Sequence, residues 1–210
     1  MCAGHGKLLK GYGRMPAKKT EHAVNLSSLP RTLLPSTKAA KSLPVSWDKT
    51  ALRERVVYVM QLLCGRESAV NIQFLNPSDM AALNWQFRGK TESTDVLSFL
   101  PHESNLTVEN VTSKGAAHHF NMGDVAVCAD VCAEQARRHR CTLSEEIERM
   151  VVHGIVHLLG LDHERSPAAH KVMTDLEKSI RRELRMEFGA ADFCRAQERS
   201  SKAARAESRR

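Results

Sequence analysis

The residues best suited to chemistry in this sequence are His153, His157 and His163, in the segment His-Gly-Ile-Val-His-Leu-Leu-Gly-Leu-Asp-His. Residues four apart lie on one face of a helix, so the first two imidazoles can share one metal ion at about 2.0–2.1 Å each. A helix cannot bring a residue six positions further on to the same point. Gly160 would solve this, because glycine adopts the left-handed conformation that ends a helix at the least cost. The spacing therefore predicts a metal site built from three histidines.

The same segment differs at one position from the zinc-peptidase pattern HExxHxxGxxH. Gly154 stands where that pattern has the glutamate that serves as general base. A single histidine on an apolar helix is usually a core residue with satisfied hydrogen bonds. Three histidines at ligand spacing, with a glycine where the chain must turn, instead favour an open metal site that lacks a peptidase base.

Length and composition are those of a soluble globular protein: 210 residues with 42% hydrophobic residues fit one domain with extensions. No apolar run approaches the ~20 residues that cross a bilayer, so we expect no membrane span. No secretory signal is evident either. The six cysteines form no CxxC pair and no framework spacing, which favours reduced intracellular thiols over metal ligands or disulfides.

The net charge of +7 is concentrated at the two ends of the chain. Residues 1–44 hold eight Lys and Arg against one acidic residue, and residues 190–210 hold six against three, which leaves 17 basic and 20 acidic residues between them. We expect residues 1–45 to be a disordered basic arm, residues 46–189 to be the folded domain, and residues 190–210 to be a basic tail. The first arm also has the acid-poor composition of an organellar transit peptide, so we expect a mitochondrial or a cytoplasmic protein.

Hydrophobic periodicity predicts an α+β fold, with a small mixed sheet of about three to four strands, several helices and a zincin-like metal helix packed near the sheet. Helices are predicted to begin near five positions: Ser46, Asn76, Val131, Thr142 and Ser166. Strands are predicted over three ranges: 70–75, 94–100 and 123–129. Residues 102–122 are predicted to form a mobile loop.

Three segments resemble the YbeY family of metal-dependent endoribonucleases, also called rRNA maturation factors. Residues 83–90 together with 94–99 are similar to the family's LNxxyRgk…TDVLSFP segment, and residues 123–125 are similar to its GDI strand. Residues 153–163 match its HGxxHLxGxDH signature at every fixed position. The resemblance spans about residues 46–189, and Leu100 departs from it where a proline usually follows the phenylalanine.

The resemblance implies single-strand-specific RNA cleavage, with roles in the maturation of small-subunit ribosomal RNA and in ribosome quality control. It implies that His153, His157 and His163 hold one Zn²⁺ ion per chain, and that Arg88 reaches into the metal cleft as a functional residue. The implied partners are single-stranded RNA, ribosomal RNA and the small ribosomal subunit, with no membrane.

The chemistry expected of such a site depends on the charge of the ion. Three neutral ligands leave the full charge of Zn²⁺ to lower the pKa of a bound water toward ~7. Arg88 would stabilise the negative charge that grows on the phosphoryl oxygens, because its planar guanidinium binds two oxygens at once. The general acid is not identified: Asp162 fits a supporting role beside a ligand or an ordinary turn equally well. Asp95 and Asp124 are expected to hydrogen-bond the backbone.

Two other classes of protein stay open. A zincin-type metallopeptidase would share the ligand set, but it needs a carboxylate base that Gly154 does not provide. A non-catalytic ribosome-biogenesis factor with a structural zinc would also fit the sequence. A structural zinc normally has a fourth protein ligand, and the sequence offers none nearby, since His170 begins a separate helix face.

Overall fold

The computed structural model describes residues 22–27, 32–33, 43–64, 67–101, 120–161 and 166–196, and in these ranges it has seven strands and five helices. The strands are β1 (Ala23–Ser27), β2 (Thr32–Leu33), β3 (Leu43–Trp47), β4 (Ser68–Leu75), β5 (Val96–Phe99), β6 (Phe120–Cys128) and β7 (Cys194–Ala196). The helices are α1 (Lys49–Leu63), α2 (Pro77–Arg88), α3 (Ala129–His139), α4 (Leu143–Leu158) and α5 (Pro167–Phe188). The predicted α+β class is confirmed.

The main sheet is mixed and has four strands in the order β1-β4-β6-β5. β4 pairs in parallel with both β1 and β6, and β5 pairs antiparallel with β6. β6 carries a nearly continuous run of buried residues from Val125 to Cys128, as expected of a strand covered on both faces. β2, β3 and β7 form a smaller antiparallel sheet.

α4 lies on the main sheet and places the histidines at its edge. Many of its residues are buried in the core that it shares with the sheet, among them Ile147, Met150 and Ile155. Gly154 allows the close approach: a Cβ added there would lie 2.6 Å from Val125 Cγ1 and 3.1 Å from Ser98 Oγ. The Ser98 hydroxyl donates a hydrogen bond to the Gly154 carbonyl at 3.0 Å, which ties α4 to β5. Position 154 therefore faces the sheet.

Local capping signals set most helix ends as the sequence predicts. The Thr142 hydroxyl accepts from the Glu145 amide at 3.1 Å, and the Glu145 carboxylate accepts from the Thr142 amide at 2.9 Å, which completes a capping box before α4. Gly160 has φ +77° just beyond α4, in the left-handed region predicted for it. α2 begins after its cap Asn76 and ends at Gly89, with φ +68°.

The predicted start of the first helix is wrong. Ser46 lies in β3 and pairs with Arg195 of β7, so it does not cap α1. The cap is Asp48, whose carboxylate accepts from the Ala51 amide at 2.9 Å. A strand contact with a residue almost 150 positions away leaves no local pattern, and this explains the error. The predicted apolar stripe of α1 is buried and therefore confirmed: Leu52, Val56, Val59, Met60 and Leu63.

The folded part of the chain extends beyond residues 46–189 at both ends. β1 lies within the predicted disordered arm, yet it is a strand of the main sheet and its Val24 is buried in the core. In the predicted tail, Phe193 is buried and the Ser144 hydroxyl donates to the Cys194 carbonyl at 2.9 Å. The prediction is therefore wrong for these segments, because averaging composition over 45 residues hides a five-residue strand. Residues 32–33, 43–45 and 194–196 of the predicted arms are also strand, and residues 1–21, 28–31, 34–42 and 197–210 lie outside the described ranges.

Both boundaries of β6 also differ from the prediction. β6 begins at Phe120, so the last three residues of the predicted 102–122 loop are strand, and residues 102–119 lie outside the described ranges. Ala129, predicted as the end of that strand, is the first residue of α3. Across the described part of the chain, no helix combines the length and the apolar character needed to cross a membrane.

Candidate metal centre

His153 and His157 lie on successive turns of α4 and direct their rings toward one point. Their Nε2 atoms are 3.1 Å apart, and the two ring planes are nearly perpendicular, with centroids 4.5 Å apart. This is the arrangement that the i, i+4 spacing predicts. The two imidazoles are thus already together in the fold of the chain.

The separation of the two nitrogens fits a shared metal ion. Two nitrogens that each bind one ion at 2.0–2.1 Å lie about 3.3 Å apart when the angle at the ion is tetrahedral. Without a shared ion the nitrogens would have to share a proton, with one ring donating to the other. A pair of neutral imidazoles is a donor set that suits Zn²⁺ and other borderline divalent ions.

Glu177 of α5 holds the outer nitrogen of the first ring. Its Oε1 lies 2.7 Å from His153 Nδ1. An ionised carboxylate can only accept a hydrogen bond, so the chemistry of the pair assigns the proton to Nδ1. The unprotonated Nε2 of His153 then faces His157.

The third predicted ligand, His163, lies outside the described residues, as does Asp162. The described ranges contain no group of three or more His, Cys, Asp or Glu residues placed to hold a metal. The last described residues before His163 are Gly160, where the chain leaves the helix, and Leu161, which lines the same cleft as the two rings. The role of His163 stays a prediction.

A cleft of about 780 Å³ opens in front of the two histidines. The residues that line it come from the end of α2, from β5 and the residues before it, and from α4 and the turn that follows it. Arg88, the last residue of α2, lines this cleft together with the histidine pair, and its functional role stays a prediction. Its neighbour Phe87 is 57% exposed, and its ring packs edge-on against Phe99 with centroids 4.8 Å apart.

Comparison with known proteins assigns these residues to a family. The family profile described as Endoribonuclease YbeY matches residues 38–185, which is well over half of the chain. The chain belongs to the YbeY family. The matched range includes the α2–β5 segment, β6 and the histidine segment of α4, which are the three segments that carried the sequence resemblance.

Curated YbeY relatives are similar over most of their length. A protein named Endoribonuclease YbeY from Persephonella marina is 32% identical over 144 residues, which is 68% of this chain and 88% of the relative. One of the same name from Xanthomonas campestris is 34% identical over 157 residues, 75% of this chain and 85% of the relative. A solution structure from Thermotoga maritima matches with a TM-score of 0.45 and 22% identity, over 80% of this chain and 95% of that one.

A second arginine of the YbeY cleft was not singled out by the sequence analysis. Arg149 lies one turn before His153 on α4 and lines the same cleft. Its guanidinium is anchored by the buried carboxylate of Glu146, with Nε donating to Oε2 at 3.2 Å, and by the side-chain oxygen of Gln135 at 3.4 Å. The hydrogen bonds that Arg149 donates to Glu146 raise the pKa of Arg149 above its ordinary value. The i, i+4, i+8 spacing of Arg149 with the two histidines was the available signal.

Asp95 supports the cleft and does not project a free carboxylate into it. Its Oδ1 accepts from the Val96 amide at 2.8 Å and the Thr94 hydroxyl at 3.0 Å, and its Oδ2 accepts from Gln135 at 2.9 Å. Burial opposes ionisation, but these hydrogen bonds outweigh it and hold the pKa of Asp95 below its ordinary value. The predicted backbone bonding of Asp95 is confirmed. Asp124 instead accepts from the Asn71 side chain at 2.8 Å, on an exposed part of the sheet.

The cysteines resolved in the described ranges are free, as predicted. Cys128, Cys132 and Cys194 are buried, and burial raises the pKa of the Cys194 thiol to about 12. Thiolates are the form that binds metals and attacks electrophiles, so these thiols act as small apolar core residues.

Proposed function

We propose that this chain is a metal-dependent endoribonuclease that cleaves single-stranded RNA, in the maturation of small-subunit ribosomal RNA and in ribosome quality control. The observation that carries the proposal is the pair of converging imidazoles, His153 and His157, in a cleft that Arg88 also lines. The relatives named as YbeY endoribonucleases support the same reaction class.

One Zn²⁺ ion per chain would be held by His153 and His157, with His163 as the proposed third ligand. When bound, the ion supplies a Lewis acid that stabilises negative charge and makes water more acidic. The neutral imidazoles leave that charge undiminished. The cleft in front of the rings leaves room for substrate, as a catalytic zinc site requires and a closed structural site does not.

The arginines of the cleft would bind the phosphodiester. Arg88 at the end of α2 and Arg149 on α4 both line this cleft, so a phosphate bound beside the histidines would have two arginines nearby. Each guanidinium can donate two parallel hydrogen bonds to phosphate oxygens. Arg149 is held in place by Glu146 and Gln135, which limits the entropy lost when it binds. Charge that develops on the phosphoryl oxygens is thereby stabilised by groups already in place.

Phe87 supports the preference for single strands. Its ring is exposed at the cleft wall next to Arg88, and Phe99 fixes its orientation. An aromatic face can stack on a nucleobase only when that base has left its own stack, as in single-stranded RNA. A duplex would present paired bases and a regular backbone in place of a splayed nucleotide.

The position of Gly154 argues against a zincin-type peptidase. The general base of that class would occupy position 154, but here position 154 faces Val125 and Ser98 of the sheet at contact distance. A glutamate side chain at this point would have to displace the strands before it could reach the cleft. Nucleic acid is therefore the preferred substrate class. The protein would act on it in mitochondria or in the cytoplasm.

One experiment tests the reaction class directly. The purified chain is assayed for zinc content and for cleavage of one RNA sequence, presented as a single strand and as a duplex, with casein as the peptidase control. We expect about one zinc per chain, cleavage of the single strand that stops with a chelator and returns with zinc, and intact casein. Equal cleavage of the duplex would remove the single-strand proposal, and hydrolysis of casein would favour the peptidase.

A further inference from the structure

We infer that Glu177 is a positioning residue for the metal centre: its carboxylate fixes the orientation and the tautomer of His153, so that Nε2 is presented to the ion. The inference rests on the proposed metal site and deepens it, because it adds a residue from a different helix. Glu177 lies 24 positions after His153 in the chain, in a part of the sequence that no metal motif includes.

The geometry is that of a strong, oriented hydrogen bond. Glu177 Oε1 lies 2.7 Å from His153 Nδ1, and both side chains are largely shielded, with 15% and 24% of their surface exposed. Charge-assisted hydrogen bonds of this length are about twice as strong as neutral ones. Shielding from water strengthens the bond further, since the local dielectric constant is lower than in solvent.

The position of Glu177 on α5 is itself informative. It lies four residues after Met173 and three before Ile180, both of which are buried against the core, so it shares the inward-facing stripe of the helix. A carboxylate at such a position costs free energy unless it is paired. An apolar residue would pack there more favourably, and the pairing with His153 compensates for the cost of the charge.

The tautomer explains what the carboxylate contributes. A neutral imidazole carries one N–H, and in solution the proton exchanges between the two nitrogens. With the proton held on Nδ1 by Glu177, the lone pair of Nε2 faces the Nε2 of His157, 3.1 Å away. A hydrogen-bonded carboxylate also makes the ring a better donor to a metal. The ring is therefore ready to bind before the ion arrives.

Zinc affinity separates this role from a purely structural link between α4 and α5. In chelator-competition titrations of the full chain, Glu177→Ala should weaken zinc binding by about 10- to 100-fold. Glu177→Gln keeps an oxygen that accepts from Nδ1–H and should recover a large part of that loss. The matched control is Asp175→Ala on the same helix, which breaks an exposed pair with Lys171 and should leave the affinity unchanged.

A spectroscopic measurement tests the tautomer directly. ¹⁵N spectra of the histidine side chains in the zinc-free chain should show His153 with its proton on Nδ1, and the signal should change in Glu177→Gln. A proton on Nε2 of His153 would overturn the inference. The inference would also be overturned if the Glu177→Ala chain unfolded at a lower urea concentration than the wild type but bound zinc equally tightly.

The failure of this inference can be told apart from the failure of the proposed function. If the wild type binds zinc but does not cleave RNA, the function fails while the effect of Glu177 on affinity remains. If the wild type cleaves RNA and Glu177→Ala retains full zinc affinity, only the role of Glu177 fails. If the wild type binds no zinc at all, both fail.

Discussion

The backbone of Gly154 lies directly against the side chain of Val125: a methyl group added to the glycine would be 2.6 Å from Val125 Cγ1. Gly154→Ala should therefore lower the free energy of unfolding by about 1–3 kcal/mol through overpacking, partly offset by about 1 kcal/mol of helix propensity. Urea denaturation measures the change. Adding Val125→Ala to this variant should cost less than the sum of the two single changes, because the second substitution relieves the contact. If the two changes in the free energy of unfolding were strictly additive, the contact between position 154 and Val125 would be contradicted.

Loss of either imidazole should abolish stoichiometric zinc binding. His153→Ala and His157→Ala each remove one donor of the converging pair, and metal affinity contributes to folding stability when the ligands come together only in the native state. Metal analysis after desalting and thermal unfolding with and without zinc provide the two readouts. The control is His170→Ala, since His170 is exposed and lies outside the cleft. This variant should retain about one zinc ion per chain. Tight, stoichiometric zinc in either ligand variant would disprove the assignment.

Replacement of Arg88 by lysine should separate catalysis from binding. The ammonium keeps the positive charge but loses the planar fork, so we expect kcat to fall by about 10- to 100-fold with little change in the Kd for RNA. Single-turnover cleavage and fluorescence anisotropy measure the two quantities. Arg137→Lys, on exposed surface away from the cleft, should alter neither. If Kd and kcat worsened equally, Arg88 would be an ordinary phosphate contact.

Phe87 should bind one nucleobase through its exposed ring face. Phe87→Leu keeps an apolar side chain but removes the stacking surface. The substitution should weaken the binding of single-stranded RNA by about 1–3 kcal/mol. The loss should disappear for an RNA with an abasic site at the stacked position, since that substrate has no base to stack. Trp85→Leu is the matched control, because Trp85 is also exposed on α2 but does not line the cleft. A loss that persists with every abasic substrate would contradict stacking.

Acid should destabilise the fold through Asp95. Hydrogen bonds hold the pKa of this carboxyl below its ordinary value of 3.8, so its contribution to stability is complete above that value and is lost as the pH falls through the lower, folded-state pKa. Urea midpoints measured from pH 6 downward should show wild type and Asp95→Asn converging at acid pH. A difference in stability that stays constant across this range would mean that ionisation of Asp95 does not contribute.

Local signals made the ends of several elements predictable. These ends are set by backbone conformation and by hydrogen bonds within a few residues. The residues responsible are Thr142 with Glu145, Asn76 before α2, and Gly89 and Gly160 after their helices. The convergence of His153 and His157 likewise depends only on the pitch of one helix. These features could be predicted from the sequence because the residues that cause them are neighbours along the chain.

Contacts between distant segments were not predictable in the same way. β1 acquires its place by parallel pairing with β4, about 45 residues later, and Ser46 becomes a strand residue because β7 lies beside it. Glu177 reaches His153 only because α5 packs against α4. Nothing within a window of 10 to 20 residues distinguishes Glu177 from the other acidic residues of a charged helix.

The pairing of β1 with β4 limits how far the amino terminus could be trimmed during maturation. If an import peptidase removes a leader, the cut must fall before Ala23, because loss of β1 would strip one whole edge of β4 of its hydrogen-bond partners. An uncovered parallel strand presents a row of free amide and carbonyl groups to any other chain with a similar edge. Cleavage a few residues too late would therefore turn a correctly targeted protein into one prone to self-association.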